Sequence, residues 1–284
     1  MIGQLINGLT AGGGYALAAV GLTYTLGIAR VMNFAYGVIF VLGAVIANSL
    51  IGGKTQVLYG LAVVLVVVFA IGFGLIFARV AVLPVINAGE TAVMIMTLGV
   101  GVMLTNAALW KFGGQVTVGE SSLSKHVYLV QGAVITQQDI LTFATALFVT
   151  VGLVAFMRYT LPGTRIRAVA QNAVVARVTG MSTSSTYTIA IVIGVVLAAL
   201  TGALFAPGNV VSVFAGDSIL LKAFTIAALA GMGQIVGAFV VGIGFGVAES
   251  LLTAYVTSNY TAAVLYLILV VTLLFFPRGL LRGE

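Results

Sequence analysis

The sequence predicts an all-α fold: a polytopic transmembrane helical bundle of eight to nine spans, N-terminus outside and C-terminus inside, with one short cytoplasmic helix. Three observations carry that expectation. Of the 284 residues, 61% are hydrophobic and only 6% charged, with a mean hydropathy of +1.23. A soluble domain carries about 25% charged residues, so lipid is the solvent that suits this chain. Its apolar residues fall in long continuous runs, without the alternation of a transmembrane β-barrel. Its 36 glycines are nearly twice the ordinary share of ~7%, and small residues let helices approach closely in lipid.

The same numbers exclude a soluble enzyme, a nucleic-acid module and a disordered chain. The net charge of +6 reads as membrane topology, with no nucleic acid as partner. Cysteine is absent, which removes disulfides, thiolate metal sites and cysteine nucleophiles. With His126 the single histidine, a histidine-based metal centre is excluded as well. No lysine or arginine precedes Arg30, so the N-terminus lacks the basic stretch of a cleavable signal peptide.

A spanning helix needs roughly 20 mostly apolar residues. Such runs occur at 5–28, 31–51, 57–80, 91–110, 140–158, 186–206, 219–231, 235–256 and 262–277. The run at 219–231 is short, and a full span, a half-helix and a re-entrant segment all stay open for it. Asp217-Ser218 ahead of it reads as a helix N-cap, and Lys222 as a side chain snorkelling to the outer interface. Basic residues favour the cytoplasmic side. With the N-terminus outside and nine crossings, Arg30, Arg79, Arg158, Arg165, Arg167, Arg177, Arg278 and Arg282 fall inside. Only Lys54, Lys111, Lys125 and Lys222 fall outside.

Two loops stand out. The outer loop, 111–139, holds Glu120, Lys125, His126 and Asp139, with short β-prone runs around Gln131-Gly132; His126 there reads as a solvated side chain. In the inner loop, 159–185, Pro162 and Gly163 end the preceding helix. Thr164 to Thr179 then reads as one short helix closed by Gly180. Ile166, Val169, Ala170, Ala173 and Arg177 share a face at helical spacing. With three arginines it cannot span, and it should lie at the cytoplasmic surface or against a partner.

Gly53-Lys54-Thr55 mimics the end of a phosphate-binding loop, but Asn48 stands where the motif needs glycine and no strand–loop–helix context exists. ATP use therefore belongs to another polypeptide. The pairs Gly8/Gly12, Gly233/Gly237 and Gly242/Gly246 permit close crossing, within this bundle or at a subunit interface. Their place within apolar spans, with no βαβ unit, excludes a dinucleotide site. Polar groups at membrane depth face the bundle interior or a water path; here they are Asn33, Gln234 and Glu249. Asn33 fits a helix junction. Glu249 fits a structural carboxylate, with path lining and proton coupling as competing roles. No Gly-x-Ser-x-Gly elbow and no close carboxylate pair occur, so no residues support an enzyme.

Three blocks of sequence carry a family resemblance. The first runs from Asn7-Gly8-Leu9 through Gly14-Tyr15-Ala16-Leu17 to Asn33-Phe34-Ala35-Tyr36-Gly37. The second is Gly163-Thr164-Arg165-Ile166-Arg167-Ala168-Val169-Ala170-Gln171-Asn172 with Gly180-Met181. The third runs from Lys222-Ala223-Phe224 through Gly231-Met232-Gly233 and Glu249 to Pro277-Arg278-Gly279-Leu280. Together they resemble the LivH/LivM-type permease subunits of branched-chain amino acid ABC importers, closer to the LivH side by length. Tyr36 departs from the histidine usual after Asn-Phe-Ala, and 82–85 lacks the arginines that commonly flank its proline.

The resemblance implies a single permease domain over 1–284 in the bacterial inner membrane. It implies a second permease subunit or a second copy, two cytoplasmic ABC ATPases that bind ATP and Mg, and a periplasmic substrate-binding protein. This chain would hold no cofactor and perform no chemistry. The substrate would be a branched-chain or other hydrophobic amino acid, or a related small polar compound such as an amide, urea or an aromatic acid. Gly163, Arg165, Ile166, Arg167, Ala168, Ala170, Arg177 and Gly180 would form the ATPase-coupling segment, with Ile166, Val169, Ala170 and Ala173 filling an apolar groove of the ATPase. Asn33, Phe34, Tyr36, Gln234 and Glu249 are the candidates for the path. An ion-coupled transporter and a purely structural membrane subunit are the alternatives.

Overall fold

The computed structural model describes residues 2–29, 33–52, 58–116, 127–130, 133–207, 211–255 and 258–275. Arg30, the Gly53-Lys54-Thr55 motif, Glu120, Lys125, His126, Gln131-Gly132, Pro277, Arg278 and Arg282 lie outside the described residues.

A helix stands over each of the nine apolar runs: α1 (Ile2–Ala29), α2 (Tyr36–Ile51), α3 (Tyr59–Phe77), α4 (Glu90–Phe112), α5 (Gln137–Tyr159), α8 (Thr183–Phe205), α9 (Ala215–Ala230), α10 (Ile235–Tyr255) and α11 (Ser258–Phe275). Six of them are long and apolar enough to cross a membrane. The 16-residue α2 and α9 reach only about 24 Å at 1.5 Å per residue. A one-turn π-helix, Ala78–Val82, continues α3.

Helix α1 is the axis, packed on α5, α8, α9 and α10. Its crossing with α10 is made by glycine. Gly8 and Gly12 meet Ile243, Gly246 and Val247, Gly242 meets Ala16, and a methyl group on Gly8 would lie 2.6 Å from the Val247 Cα. Two of the three close-spaced glycine pairs thus pack on each other inside this chain, where dispersion at short range takes the place of the hydrophobic effect. The order of contacts, Gly8 at Val247, Gly12 at Ile243 and Gly27 at Gly233, makes the two helices antiparallel. Gly21 at Leu197 and Thr25 at Gly194 make α1 and α8 antiparallel as well.

In the 111–139 loop, where short β-prone runs were expected, β2 (Val127–Val130) pairs antiparallel with β3 (Ala133–Thr136) as a β-hairpin. Thr136 then caps α5. Its Oγ accepts from the Asp139 N–H, and the Asp139 carboxylate accepts from the Thr136 N–H, a capping box that satisfies two orphan donors. A two-residue strand pair, β1 (Gln115–Val116) with β4 (Val211–Ser212), ties the end of α4 to the approach to α9.

Two local expectations need correction. The segment after Pro162 is two helices, α6 (Leu161–Gln171) and α7 (Ala173–Val178). Thr160 caps α6 through the Gly163 N–H, and Pro162 fits its first turn, where no intrahelical donor is lost. The break falls at Asn172, whose Oδ1 accepts from the Val174 and Val175 N–H groups and so starts a new helix. Gly180, at φ +83°, closes α7 with a Schellman turn. The Met181 N–H donates to the Ala176 carbonyl and the Gly180 N–H to the Arg177 carbonyl, a conformation glycine adopts without strain. Asp217 and Ser218 are not the cap of α9, which starts two residues earlier at Ala215 with no side-chain cap. Asp217 instead sits in the first turn, where the helix dipole favours it.

Candidate coupling segment and translocation path

Helix α6 rests on α1, α5 and α8, at the end of the bundle opposite the β2–β3 hairpin. Gly163 is buried against the last turn of α5: a methyl there would lie 2.7 Å from the Met157 Cα. Ile166 and Val169 are 0% and 2% exposed, and Ala170 and Ala173 are half-buried. This corrects the expected direction of the apolar face, which packs on the chain's own bundle and is not free for a partner's groove. The outward face carries Arg165, Arg167 and Arg177, all exposed, with Ala168 half-buried beside them. It also carries Leu161, Val174, Val175 and Val178, and Val178 is 84% exposed. These four apolar residues were missed from the sequence. A cleft of about 510 Å³ opens beside Arg165, between α6 and the first turn of α8 with Ser182, Ser185 and Thr186.

A second cavity, of about 380 Å³, lies inside the bundle toward the hairpin end. Thr10, Tyr15, Phe40, Gln138, Asp139 and Thr201 are among its walls. The Gln138 amide is fixed by two donated hydrogen bonds, 2.7 Å to the Tyr59 hydroxyl and 2.8 Å to the Leu204 carbonyl. Tyr59 in turn donates to the Ala203 carbonyl at 3.3 Å. Polar walls with fixed rotamers beside Phe40 and Leu204 suit a small ligand with both polar and apolar ends.

None of the five candidate path residues lines this cavity. Tyr36 is wholly buried, and its hydroxyl donates to the Ala18 carbonyl at 2.8 Å; it holds α2 against α1. Asn33 forms the junction expected of it. Its Oδ1 accepts from the Ala35 N–H at 3.0 Å, while the Phe34 N–H donates to Thr97 Oγ1 at 3.2 Å. Gln234 sits half-buried in the turn into α10, and its carbonyl accepts from the Ala238 N–H.

Glu249 pairs with Lys222, Nζ to Oε1 2.7 Å, with the two side chains 20% and 23% exposed. The same ammonium donates to the Tyr15 hydroxyl at 2.9 Å and lies 4.5 Å from the centre of the Tyr15 ring. Lys222 therefore does not snorkel to an interface. It ties α1, α9 and α10 together midway along α1, and the structural role for Glu249 is the one this geometry supports. Two charges at that depth are tolerated because each supplies what the other lost in water. Among the described residues no group of three or more His, Asp or Glu side chains could hold a metal ion.

Residues 4–273 match the family described as "Branched-chain amino acid transport system / permease component". The chain is 32% identical over 297 aligned positions to the high-affinity branched-chain amino acid transport system permease protein LivH of Escherichia coli K12, covering 98% of this chain and 94% of that protein. It is 30% identical to BraD of Pseudomonas aeruginosa, named as the same kind of permease, at 98% and 94% coverage. It is 29% identical to a probable LivH of Methanocaldococcus jannaschii, at 93% and 87%. Among solved structures, a chain of PsaBC from Streptococcus pneumoniae in complex with Fab superposes with a TM-score of 0.50 at 14% identity, covering 98% of this chain and 97% of that one; that likeness concerns the fold alone. A multi-pass helical membrane protein matched from end to end in this way belongs to the family of branched-chain amino acid transport system permease components.

Proposed function

We propose that the chain is the membrane-embedded permease of an ATP-driven importer of branched-chain or other hydrophobic amino acids in the bacterial inner membrane, with α6–α7 as the segment that receives the stroke of the ATPases. One observation carries the reading. The outward face of α6–α7 presents Arg165, Arg167 and Arg177 around the exposed Val174, Val175 and Val178. Guanidiniums around an apolar patch fit a protein partner with an acidic rim. In the orientation set by the basic residues this face is cytoplasmic, and the β2–β3 hairpin faces the substrate-binding protein.

ATP and Mg are held by two ABC subunits, and a second permease completes the pore. Closure of the ATPases pushes α6, and because Ile166 and Val169 root it in the bundle, the push reaches α1, α5 and α8 directly. Nothing in this chain makes or breaks a covalent bond; it gates. The 380 Å³ cavity is the transient resting place of the substrate, with polar walls for its ammonium and carboxylate and Phe40 and Leu204 for its side chain.

The test is co-purification of the ATPases with the chain carrying Arg165→Glu and Arg167→Glu. Charge reversal at two rim contacts is expected to abolish association while the permease itself stays folded. Complexes that retain their ATPases after the double change refute the coupling assignment.

A further inference from the structure

Most polar groups at membrane depth in this chain are accounted for by its own contacts, the Ser218 hydroxyl included, which donates to the Ala215 carbonyl at 2.9 Å, but the Asp217 carboxylate in the first turn of α9 is not. Asp217 and Ser218 are exposed, and Leu221, on the same helix face three and four positions on, is 53% exposed. Their depth follows from four contacts. Gly216 abuts the backbone of Gly37. Tyr36, beside it, bonds Ala18. Ile219 shares a cavity with Ala18. Lys222 reaches Tyr15. Tyr15 and Ala18 lie midway along the 28-residue α1, so the start of α9 lies at mid-depth, well below the hairpin end. Helix α5, by contrast, turns Leu147, Phe148 and Val151 outward, as a lipid-facing helix does. A further exposed amide, Asn106, sits on α4, whose end the β1–β4 pair ties to the approach to α9.

An exposed carboxylate at mid-depth is intolerable against hydrocarbon and unremarkable beside water or protein. We infer that the face of α9 carrying Asp217, Ser218 and Leu221 is turned to the second permease subunit across a water-filled path, and not to lipid. The occupant must itself be embedded in the membrane, because the face lies at mid-depth, and it must offer polar groups or water, because Asp217 needs them. This assignment rests on the permease reading above and adds to it the face at which the two permeases meet.

The chain has no cysteine, so single spin labels can be placed without background. Ser218→Cys, Leu221→Cys and, as the lipid-facing reference, Phe148→Cys are labelled in the complete importer in liposomes, with the partner permease made cysteine-free. Accessibility to oxygen, which concentrates in the hydrocarbon, is expected to be several-fold lower at 218 and 221 than at 148. Equal accessibility at either position overturns the assignment, and each position reads independently if the other variant fails to assemble. If the importer holds its ATPases and transports while 218 and 221 match 148, the face is wrong and the permease reading stands. If the unmodified chain assembles with no second permease or ATPase, both fall together.

Discussion

Lys222 serves three helices from one ammonium group, and its neighbours predict what its loss does. Glu249→Gln leaves the cation without its counter-charge in a site where only about a fifth of each side chain is exposed. Breaking one partner of a fully buried pair costs about 3–5 kcal/mol, so the lower end of that range is expected here, read as a drop in the apparent melting temperature of the detergent-solubilised protein. The exchange Lys222→Glu with Glu249→Lys is expected to recover part of it; no recovery would show that the pair is incidental. Asn172 is a smaller case. Asn172→Ala removes the cap of α7 and is expected to cost about 1 kcal/mol, without loss of Gly163, Ile166 or Val169 from the core. Lys222 and Glu249 lie 27 positions apart in sequence; Glu249 could be marked singly as a charge at depth and Lys222 read as an interfacial side chain, but their pairing could not be read before the fold brought α9 and α10 together.

At the scale of helices, α6–α7 and the α1–α10 crossing make opposite demands on substitution. Ile166→Ala opens a hole in the core and is expected to cost about 2–5 kcal/mol. Val174→Ser with Val178→Ser touches only outward side chains, so stability is expected to change by under about 0.5 kcal/mol per site while ATPase association falls. Loss of stability without loss of association would reverse the assigned faces. In α10, a methyl on Gly246 would strike the backbone of Gly12, whereas a methyl on Gly244 meets nothing within 4 Å. Gly246→Val is therefore expected to abolish the monodisperse peak in size-exclusion chromatography, and Gly244→Val to leave it intact. The sequence pattern grouped Ile166, Val169, Ala170 and Ala173 as they pack, but it placed Arg177 with them, where the break at Asn172 leaves Arg177 on the outward face, and it missed the direction of the apolar side. Ile166 and Val169 lie against the chain's own bundle, the one apolar partner that periodicity within a single helix does not reveal.

The whole molecule has two unlike ends, and their sidedness can be measured. The β2–β3 hairpin and the Thr136 cap of α5 lie at one end, and α6–α7 with its arginines at the other. A membrane-impermeant maleimide is expected to label Val134→Cys, at an exposed position, from outside intact cells. Thr179→Cys should be labelled only in inverted vesicles. Labelling of both from one side would refute the orientation inferred from the basic residues.

Composition and the run of apolar positions were enough to determine an α-helical membrane protein, the places of the helices over its nine apolar runs and its arginine-bearing loop, because a bilayer imposes one local rule on every segment: bury the backbone in a helix and keep charge near the ends. The cavity proposed as the substrate's resting place became visible only in the tertiary structure. Thr10, Gln138 and Thr201 sit on three different helices, and no local pattern marks them. Glu249 could be marked in the sequence as a polar group at depth, where polarity is costly, but only packing shows that the bundle neighbour Lys222 meets that cost.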